Sequence, residues 1–412
     1  MKFSAQHKTL VALTLINAGD GVINTMFSPF LKGLGLPVSS IGLVVAVFAF
    51  ASLLSRLPAG LVHGPSRTKP LMYISLAILC ASTVLYTLTY DAVLLTLFRI
   101  VHGISFGVAS TLNMAIFMDT LSTTRNRTRA MAFFSALMAG GFSSGHAASG
   151  FLIDSLGYGP TFIIAGLISA TGALFTSDPQ RESVAAATRH AAQANASLAA
   201  GTRSKLAYAL SPRMLVISLM AFSLNLVQHV SNTFFPLYAL GVGLSLSSVG
   251  FLRSLQAASG LITRPFSGEA TRFARYDVMS SGGLAAVCIS IALLPSFDSM
   301  GAFVPLFALL GTARGVVMVA NTIAIVEDVG SDANKRGIAS GVFNMARDLG
   351  GVAGPVIGGM VASIIGVEGA LRFTPIAFLG LFLVLHIVGP ARQAMGPAKQ
   401  DARSGPERMD QA

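Results

Sequence analysis

One pattern occurs twice in this chain: residues 17–25 read NAGDGVINT, and residues 225–233 read NLVQHVSNT. In both copies polar side chains occupy the first, fourth and eighth positions, a spacing that places them on one face of a helix. The second copy begins 208 residues after the first, which is about half the chain. The sequence therefore predicts that one structural unit has been duplicated.

The residues that follow each copy keep the same register, with at most a one-residue slip. The matched positions are Gly33, Gly35, Arg56, Gly60, Arg127, Phe134, Gly141, Gly145, Gly150 and Gly157 in the first half, and Gly241, Gly243, Arg264, Gly268, Arg336, Phe343, Gly350, Gly354, Gly359 and Gly366 in the second. The two halves are thus expected to share one orientation. Transporters built from such parallel repeats place their substrate between the halves, near the bilayer midplane.

The composition excludes a soluble globular protein. Of the 412 residues 53% are hydrophobic and only 11% are charged, whereas soluble domains carry roughly 25% charged residues. Apolar runs of about 18 residues recur along the chain, long enough to cross a bilayer as helices. The sequence predicts an all-α membrane protein with twelve transmembrane helices in two pseudo-symmetric six-helix bundles.

The hydropathy pattern divides the chain into four segments. They are an N-terminal six-helix bundle (1–176), a cytoplasmic linker (177–211), a C-terminal six-helix bundle (212–390) and a cytoplasmic tail that we expect to be disordered (391–412). Lysine and arginine concentrate in the loops on the side of the termini, whereas the opposite loops hold only Lys32 and Arg372. By the positive-inside rule both termini are cytoplasmic, and we expect a multi-pass protein of the cell inner (plasma) membrane.

Four local motifs accompany the repeat. They are Arg56-Leu-Pro-Ala-Gly60 followed by Arg67 and Lys69, Arg99-Ile-Val-His102-Gly103 followed by Gly107, Gly141-x-x-x-Gly145 followed by Gly150, and Gly354-Pro355-Val-Ile-Gly358-Gly359. Together with the twelve spans and the central linker, these motifs resemble the major facilitator superfamily, and most of all its drug- and sugar-efflux proton-antiporter branch. The resemblance covers nearly the whole chain and implies that Arg99 takes part in proton coupling. Two positions depart from the family pattern, since Gly64 replaces an Asp and His146 replaces a Pro.

Asp20 lies about eleven residues into the first predicted helix, and hence near the middle of the bilayer. A carboxylate at that depth costs roughly 2.5–3.5 kcal/mol on insertion scales, which usually indicates a function. We expect Asp20, Arg99 and His102 to couple transport to protons, with Asp20 and Arg99 sensing each other across the cavity. The alternatives are a structural polar contact at Asp20 and pairing of Arg99 with helix-end carbonyls.

Polar side chains of both halves are expected to line a substrate cavity between the bundles. They are Asn17, Asn24, Asn113, Asn225, Gln228, His229, Asn232, Arg314, Asn321 and Arg347. Several buried cations facing one cavity suit an anionic substrate, but internal ion pairing explains them equally well. Adjacent residues on a helix point in different directions, so we do not expect Arg347 to pair with Asp348.

Two further groups of residues are assigned to gating and packing. The candidates for a cytoplasmic gate are Arg67, Lys69, Asp119, Arg127, Glu327, Asp328 and Arg336. The alternative is plain solvated helix ends, since exposed ion pairs contribute only about 0–1 kcal/mol. The residues expected to let helices pack closely are Gly141, Gly145, Gly150, Gly354, Pro355, Gly358 and Gly359.

These observations favour a secondary active transporter that moves a small organic solute by alternating access, through proton-coupled efflux (antiport). The open alternatives are a proton-coupled uptake symporter for a sugar, an organic acid or another metabolite, and a non-transporting membrane sensor or assembly factor. No nucleophile, phosphate-loop or metal-binding motif occurs, so we expect no enzyme activity, no metal and no cofactor, with a proton gradient as energy source. The expected partners are the solute and the lipid bilayer; we expect no nucleic acid and a monomer.

Overall fold

The computed structural model describes residues 4–64, 66–121, 127–177, 207–270, 276–329 and 333–388, and their regular elements are all helical. In the first half the helices are α1 (Ala5–Gly33), α2 (Val38–Val62), α3 (Thr68–Leu85), α4 (Ala92–Thr120), α5 (Arg127–Leu156) and α6 (Tyr158–Thr171, followed by the 3₁₀ turn Gly172–Phe175). In the second half they are α7 (Pro212–Gly241), α8 (Leu246–Ala270), α9 (Tyr276–Leu293, followed by the 3₁₀ turn Leu294–Ser296), α10 (Met300–Val329) and the segment Ala333–Val388.

That last segment contains two helices. Gly366 interrupts it with φ 79°, so α11 covers residues 333–365 and α12 covers residues 367–388. Gly157 stands at the matched position between α5 and α6 and has the same φ of 79°. Only glycine adopts this backbone region without strain, which explains why the repeat keeps glycine at both turns.

Nine helical segments of the described chain are long and apolar enough to cross a membrane, and the last of them contains both α11 and α12. The helices α5 and α8 do not meet that criterion, and they pack against each other between the two halves. There Ser143 and Ser254 exchange hydrogen bonds, with each hydroxyl donating to the other residue's carbonyl at 3.3 and 2.7 Å. Ser143 and Ser254 thus face protein rather than lipid.

The same helix pairs pack in both halves. The α1–α5, α2–α4 and α3–α4 contacts of the first half recur as α7–α11, α8–α10 and α9–α10 in the second. The halves meet through α2–α11 and α5–α8, which are equivalent pairs, and through α1–α7. The predicted fold, twelve helices in two pseudo-symmetric six-helix bundles, is confirmed.

The described residues include little of the predicted linker and none of the predicted tail. Of residues 177–211 only 177 and 207–211 are among the described residues, and residues 391–412 lie outside them. The domain boundaries therefore stay predictions.

The two ends of the molecule differ in how the bundles are joined. We call the end where α1 begins the terminal end and the opposite end, with the α1–α2 turn, the far end. The largest apolar cluster includes Phe27 of α1 and Phe234 of α7, so it joins both bundles toward the far end. Among the described residues, separate clusters form at the terminal end around Phe117 in the first bundle and Met214 in the second.

A polar contact also holds the far end together. The Asp154 carboxylate at the end of α5 accepts hydrogen bonds from the backbone N–H and the hydroxyl of Ser247, at 3.0 and 2.5 Å. Ser247 lies in the first turn of α8, where a carboxylate also interacts favourably with the helix dipole. The far end is therefore closed by both apolar and charge-assisted contacts.

Glycines bring the helices of each bundle into close contact. A Cβ added at Gly145 would collide with the backbone of Ala18 on α1, and one added at Gly354 would collide with the backbone of Leu226 on α7. Gly42 of α2 meets the Pro355 backbone of α11 in the same way, across the two bundles. The packing glycines of α5 and α11 thus lie where helices touch.

We predict that Gly145→Ala destabilises the protein, because overpacking a tight contact costs about 1–3 kcal/mol. The matched control is Gly140→Ala on the same helix, since a Cβ at Gly140 meets nothing within 4 Å. There alanine should be neutral or stabilising by up to about 1 kcal/mol through its helix propensity. Thermal unfolding of the purified variants measures both effects, and equal melting temperatures would contradict the assigned contact.

Candidate functional site

A chain of polar side chains joins α1 to α4 inside the first bundle. The Asn24 amide donates to Asp20 Oδ2 at 2.6 Å, and the Arg99 guanidinium donates to Asn24 Oδ1 at 3.0 Å. His102 Nδ1 lies 3.0 Å from the Tyr86 hydroxyl and 3.4 Å from Arg99 Nη1. Asp20, Tyr86, Arg99 and His102 expose at most 2% of their surface, and Asn24, which completes this network of five side chains, is half-buried.

Aromatic rings enclose the positive charge of this network. The Arg99 guanidinium lies between the rings of Phe27 and Phe48, at 4.2 and 4.3 Å from their centroids. Cation–π contacts of this kind stabilise a cation more strongly when it is removed from water. The rings therefore help to keep a guanidinium charged at a position from which solvent is excluded.

Two atoms of the network face each other without a hydrogen bond. Asp20 Oδ1 and His102 Nε2 are both buried and have no partner, and they lie 3.9 Å apart, too far for a hydrogen bond. A guanidinium only donates, so His102 Nδ1 accepts from Arg99 and the neutral ring carries its hydrogen on Nε2. A shift of about 1 Å would let Nε2 donate to the carboxylate.

The structure corrects the expected relation between Asp20 and Arg99. No direct salt bridge between them occurs; Asn24 connects the two charges instead. The predicted cavity residue Asn24 is thus a bridge within the network, and it is half-buried while the charged groups on either side of it are buried.

The second bundle has amides where the first has its acid. Gln228, which matches Asp20, donates to Asn232 at 2.9 Å and accepts from Gln256 at 2.8 Å. The Arg253 guanidinium donates to the backbone carbonyl of Asn232. His229 faces α11, where a Cβ on Gly351 would lie 3.3 Å from its Nε2.

Several predicted cavity residues are packed between helices. Asn17 and Asn225 donate to carbonyls of their own helices at 2.7 and 2.9 Å, and Asn113 donates to the Thr9 carbonyl at 3.4 Å. Asn321 accepts from Ser280 at 3.2 Å. Asn17, Asn113 and Asn321 are at most 3% exposed, so they do not line an open cavity in this conformation.

Arg314 and Arg347 are half-buried. The expectation that Arg347 does not pair with Asp348 is wrong, since its Nε lies 3.8 Å from Asp348 Oδ1. The long arginine side chain reaches around the helix to its neighbour, which Cβ directions do not reveal. Asp348 also accepts from Arg56 Nη1 at 3.1 Å, a pair that joins α11 to α2 across the bundles and that sequence reasoning missed.

The predicted gate residues make contacts at the terminal end. Asp119 Oδ2 lies 3.2 Å from His63 Nε2. Arg213 lies 3.6 Å from Glu327 and 3.4 Å from Asp328.

The structure describes the side chains of only two of the remaining gate residues. Arg67 is exposed and Lys69 is half-buried, whereas the side chains of Arg127 and Arg336 lie outside the described residues. The far-end contact between Asp154 and Ser247 was not predicted, because Asp154 belongs to no motif and to no matched position of the repeat.

Known proteins share both the sequence pattern and the fold. The pattern of the Major Facilitator Superfamily matches residues 9–355. An uncharacterized MFS-type transporter of Methanocaldococcus jannaschii is 21% identical over 378 residues, which cover 90% of this chain and 94% of that protein. Multidrug resistance protein 2 of Bacillus subtilis is 27% identical over 190 residues, so this match spans 45% of the chain and 47% of the relative.

A solved structure confirms the architecture. The nucleoside transporter NupG superposes with a TM-score of 0.74 at 18% identity, covering 96% of this chain and 100% of that one. At this level of identity the likeness shows the fold alone. The family match extends over most of the chain and agrees with the twelve-helix fold, and the chain therefore belongs to the Major Facilitator Superfamily of multi-pass membrane transporters.

Proposed function

We propose that this protein is a proton-coupled secondary transporter that exports a small organic solute by alternating access. The observation that carries the proposal is the buried pair of unpartnered atoms, Asp20 Oδ1 and His102 Nε2, next to a charged arginine. Buried ionisable groups in membrane helices are usually part of proton or substrate pathways. The drug-resistance name of the Bacillus subtilis relative supports export.

Protonation of Asp20 changes the balance of charge in the network. The carboxylate accepts a charge-assisted hydrogen bond from Asn24, and such bonds are about twice as strong as neutral ones. A proton on Asp20 weakens that bond and leaves Arg99 without a compensating charge among the network residues. The resulting shift of α1 against α4 is the step by which proton uptake biases the conformation.

The conformation itself changes between the bundles. The far end is closed by the apolar cluster and by Asp154 with Ser247, while separate clusters lie at the terminal end. We assign this arrangement to the state that is open toward the terminal end. The opposite state forms when the bundles rock about the α2–α11 and α5–α8 contacts.

The membrane setting completes the proposal. The protein lies in the cell inner (plasma) membrane with both termini cytoplasmic, so the terminal end faces the cytoplasm. It acts as a monomer, without enzyme activity, metal or cofactor, and it binds a small solute rather than nucleic acid. The proton gradient supplies the energy.

Uptake is the second candidate, and it is favoured by the fold shared with the nucleoside transporter NupG. The same proton network serves a symporter for a sugar, an organic acid or another metabolite, because the direction of transport depends on stoichiometry and gradients. A membrane sensor or assembly factor on this fold would show no solute flux at all. Flux assays with purified protein therefore separate the three.

We predict that Asp20→Asn abolishes transport driven by a pH gradient but preserves exchange of solute without a gradient. The asparagine keeps an acceptor for Asn24 and cannot be deprotonated. The measurement is flux into proteoliposomes under an imposed pH gradient, with a panel of metabolites and drugs. Asp298→Asn, at an exposed far-end position, is the control and should behave as wild type. Undiminished gradient-driven flux in Asp20→Asn would exclude the proposed coupling.

We also predict that Ser247→Ala opens the far end more often. The lost hydrogen bond is exposed, and exposed charged contacts contribute about 0–1 kcal/mol, so far-end opening should rise by up to about fivefold. The readout is thiol labelling of a cysteine at Val230, which is fully buried in the far-end cluster, after replacement of Cys80 and Cys288. Ser248→Ala is the control, because Ser248 bonds Ser245 within the second bundle. Identical labelling of the two variants would argue against a far-end gate.

A further inference from the structure

Four arginines lie away from the helix ends of the second bundle, and the proposed proton network does not involve them. They are Arg253 and Arg264 on α8, Arg314 on α10 and Arg347 on α11. Arg56 of α2 in the first bundle contacts Asp348, the same carboxylate that Arg347 contacts. We call these five residues the arginine cluster.

The members of the arginine cluster are close enough to act on one another. Arg264 of α8 reaches Met318 of α10, one turn beyond Arg314, and Arg253 of α8 reaches Asn232 of α7. His229 of α7 faces Gly351 of α11, one turn beyond Arg347, so the α8, α10 and α11 arginines lie around one region of the bundle. Like charges held together in this way repel one another unless a negative charge lies between them.

Most of these guanidiniums lack an ionic partner. Arg253 donates to the Asn232 carbonyl, and within the described part of the chain Arg264 contacts only the Met318 sulfur, at 3.7 Å. The Nε atoms of both arginines are buried without an acceptor. Arg314 has neither an ion pair nor a hydrogen-bond acceptor among the described residues. Their donor capacity is therefore largely unused, although a guanidinium cannot lose its charge.

A single described carboxylate lies beside the cluster. Asp348 contacts Arg56 at 3.1 Å and Arg347 at 3.8 Å. The other acidic side chains described in the second half lie at helix ends or loops: Asp298, Glu327, Asp328 and Glu368. Internal ion pairing, the alternative considered from sequence, thus leaves a clear excess of positive charge.

We propose that the arginine cluster binds the anionic group of the transported solute, a carboxylate or a phosphate. This inference rests on the proposed transport function and names its substrate class. The planar guanidinium presents paired donors that match both groups. Arg314 lies midway along the 30-residue α10, a depth that lipid headgroups do not reach, so the anion is a soluble one.

The test uses purified full-length protein in a nonionic detergent. Melting temperatures are measured with glucose 6-phosphate, citrate and benzoate as anionic probes, glucose as a neutral probe and tetraphenylphosphonium as a cationic one, at equal ionic strength. We expect at least one anionic probe to raise the melting temperature of the wild type by several degrees, and Arg314→Gln to lose that shift. Lys32→Gln, which removes an exposed charge, should retain it.

The unliganded variants supply a second readout. Arg314→Gln should melt at or above the wild-type temperature, because removing the Arg314 charge relieves its repulsion with the other arginines. A lower melting temperature would indicate a structural ion pair and overturn the inference. So would stabilisation by the neutral or cationic probes alone, an anion shift that survives in Arg314→Gln, or the absence of any anion shift in the wild type.

These outcomes are separate from those of the proton-coupling test, since no pH gradient is applied. Gradient-driven flux of a cationic or neutral solute would support the proposed function and contradict this inference. Binding of anions without gradient-driven flux would support this inference and contradict the proposed proton coupling.

Discussion

The hydrogen bonds of Asn24 with Asp20 and Arg99 join α1 to α4 beside a buried acid and a buried guanidinium, and the rest of the structure must accommodate them. Breaking a buried charge pair without replacing its partners leaves an uncompensated charge, which is strongly unfavourable. The helices of the first bundle are therefore held together as a unit. Large movements are confined to the surfaces between the bundles, where α2 meets α11 and α5 meets α8.

Duplication has preserved the scaffold while the chemistry of the two halves has diverged. Asn17 and Asn225 make the same bond to their own helices, and Gly157 and Gly366 adopt the same backbone turn. One turn after Asn17 the first half has the acid Asp20. One turn after Asn225 the second half has the neutral amide Gln228. In the proposed mechanism the two bundles therefore have different roles. The first bundle binds the proton, and the second binds the negative charge of the solute.

The fold was predictable because its determinants are local. Spans follow from apolar length, and the repeat shows where helices turn or touch, as at Gly157 and Gly145. The partners of charged residues were not predictable in the same way. Asp154 and Ser247 lie 93 residues apart, and their contact depends on how two bundles meet. Arg347 reached Asp348 because its side chain is flexible, which helical periodicity does not take into account.

The same flexibility links the arginine cluster to the contact between the bundles through Asp348. This carboxylate is shared by Arg347 of its own helix and Arg56 of the opposite bundle. An anion bound at Arg347 competes with Asp348 for that guanidinium, and Asp348 then interacts more strongly with Arg56. Because Arg56 and Asp348 lie on opposite sides of the α2–α11 contact, binding of the solute strengthens a bond between the bundles. In the proposed mechanism, binding of the anion at the arginine cluster thus acts on the surface about which the bundles rock.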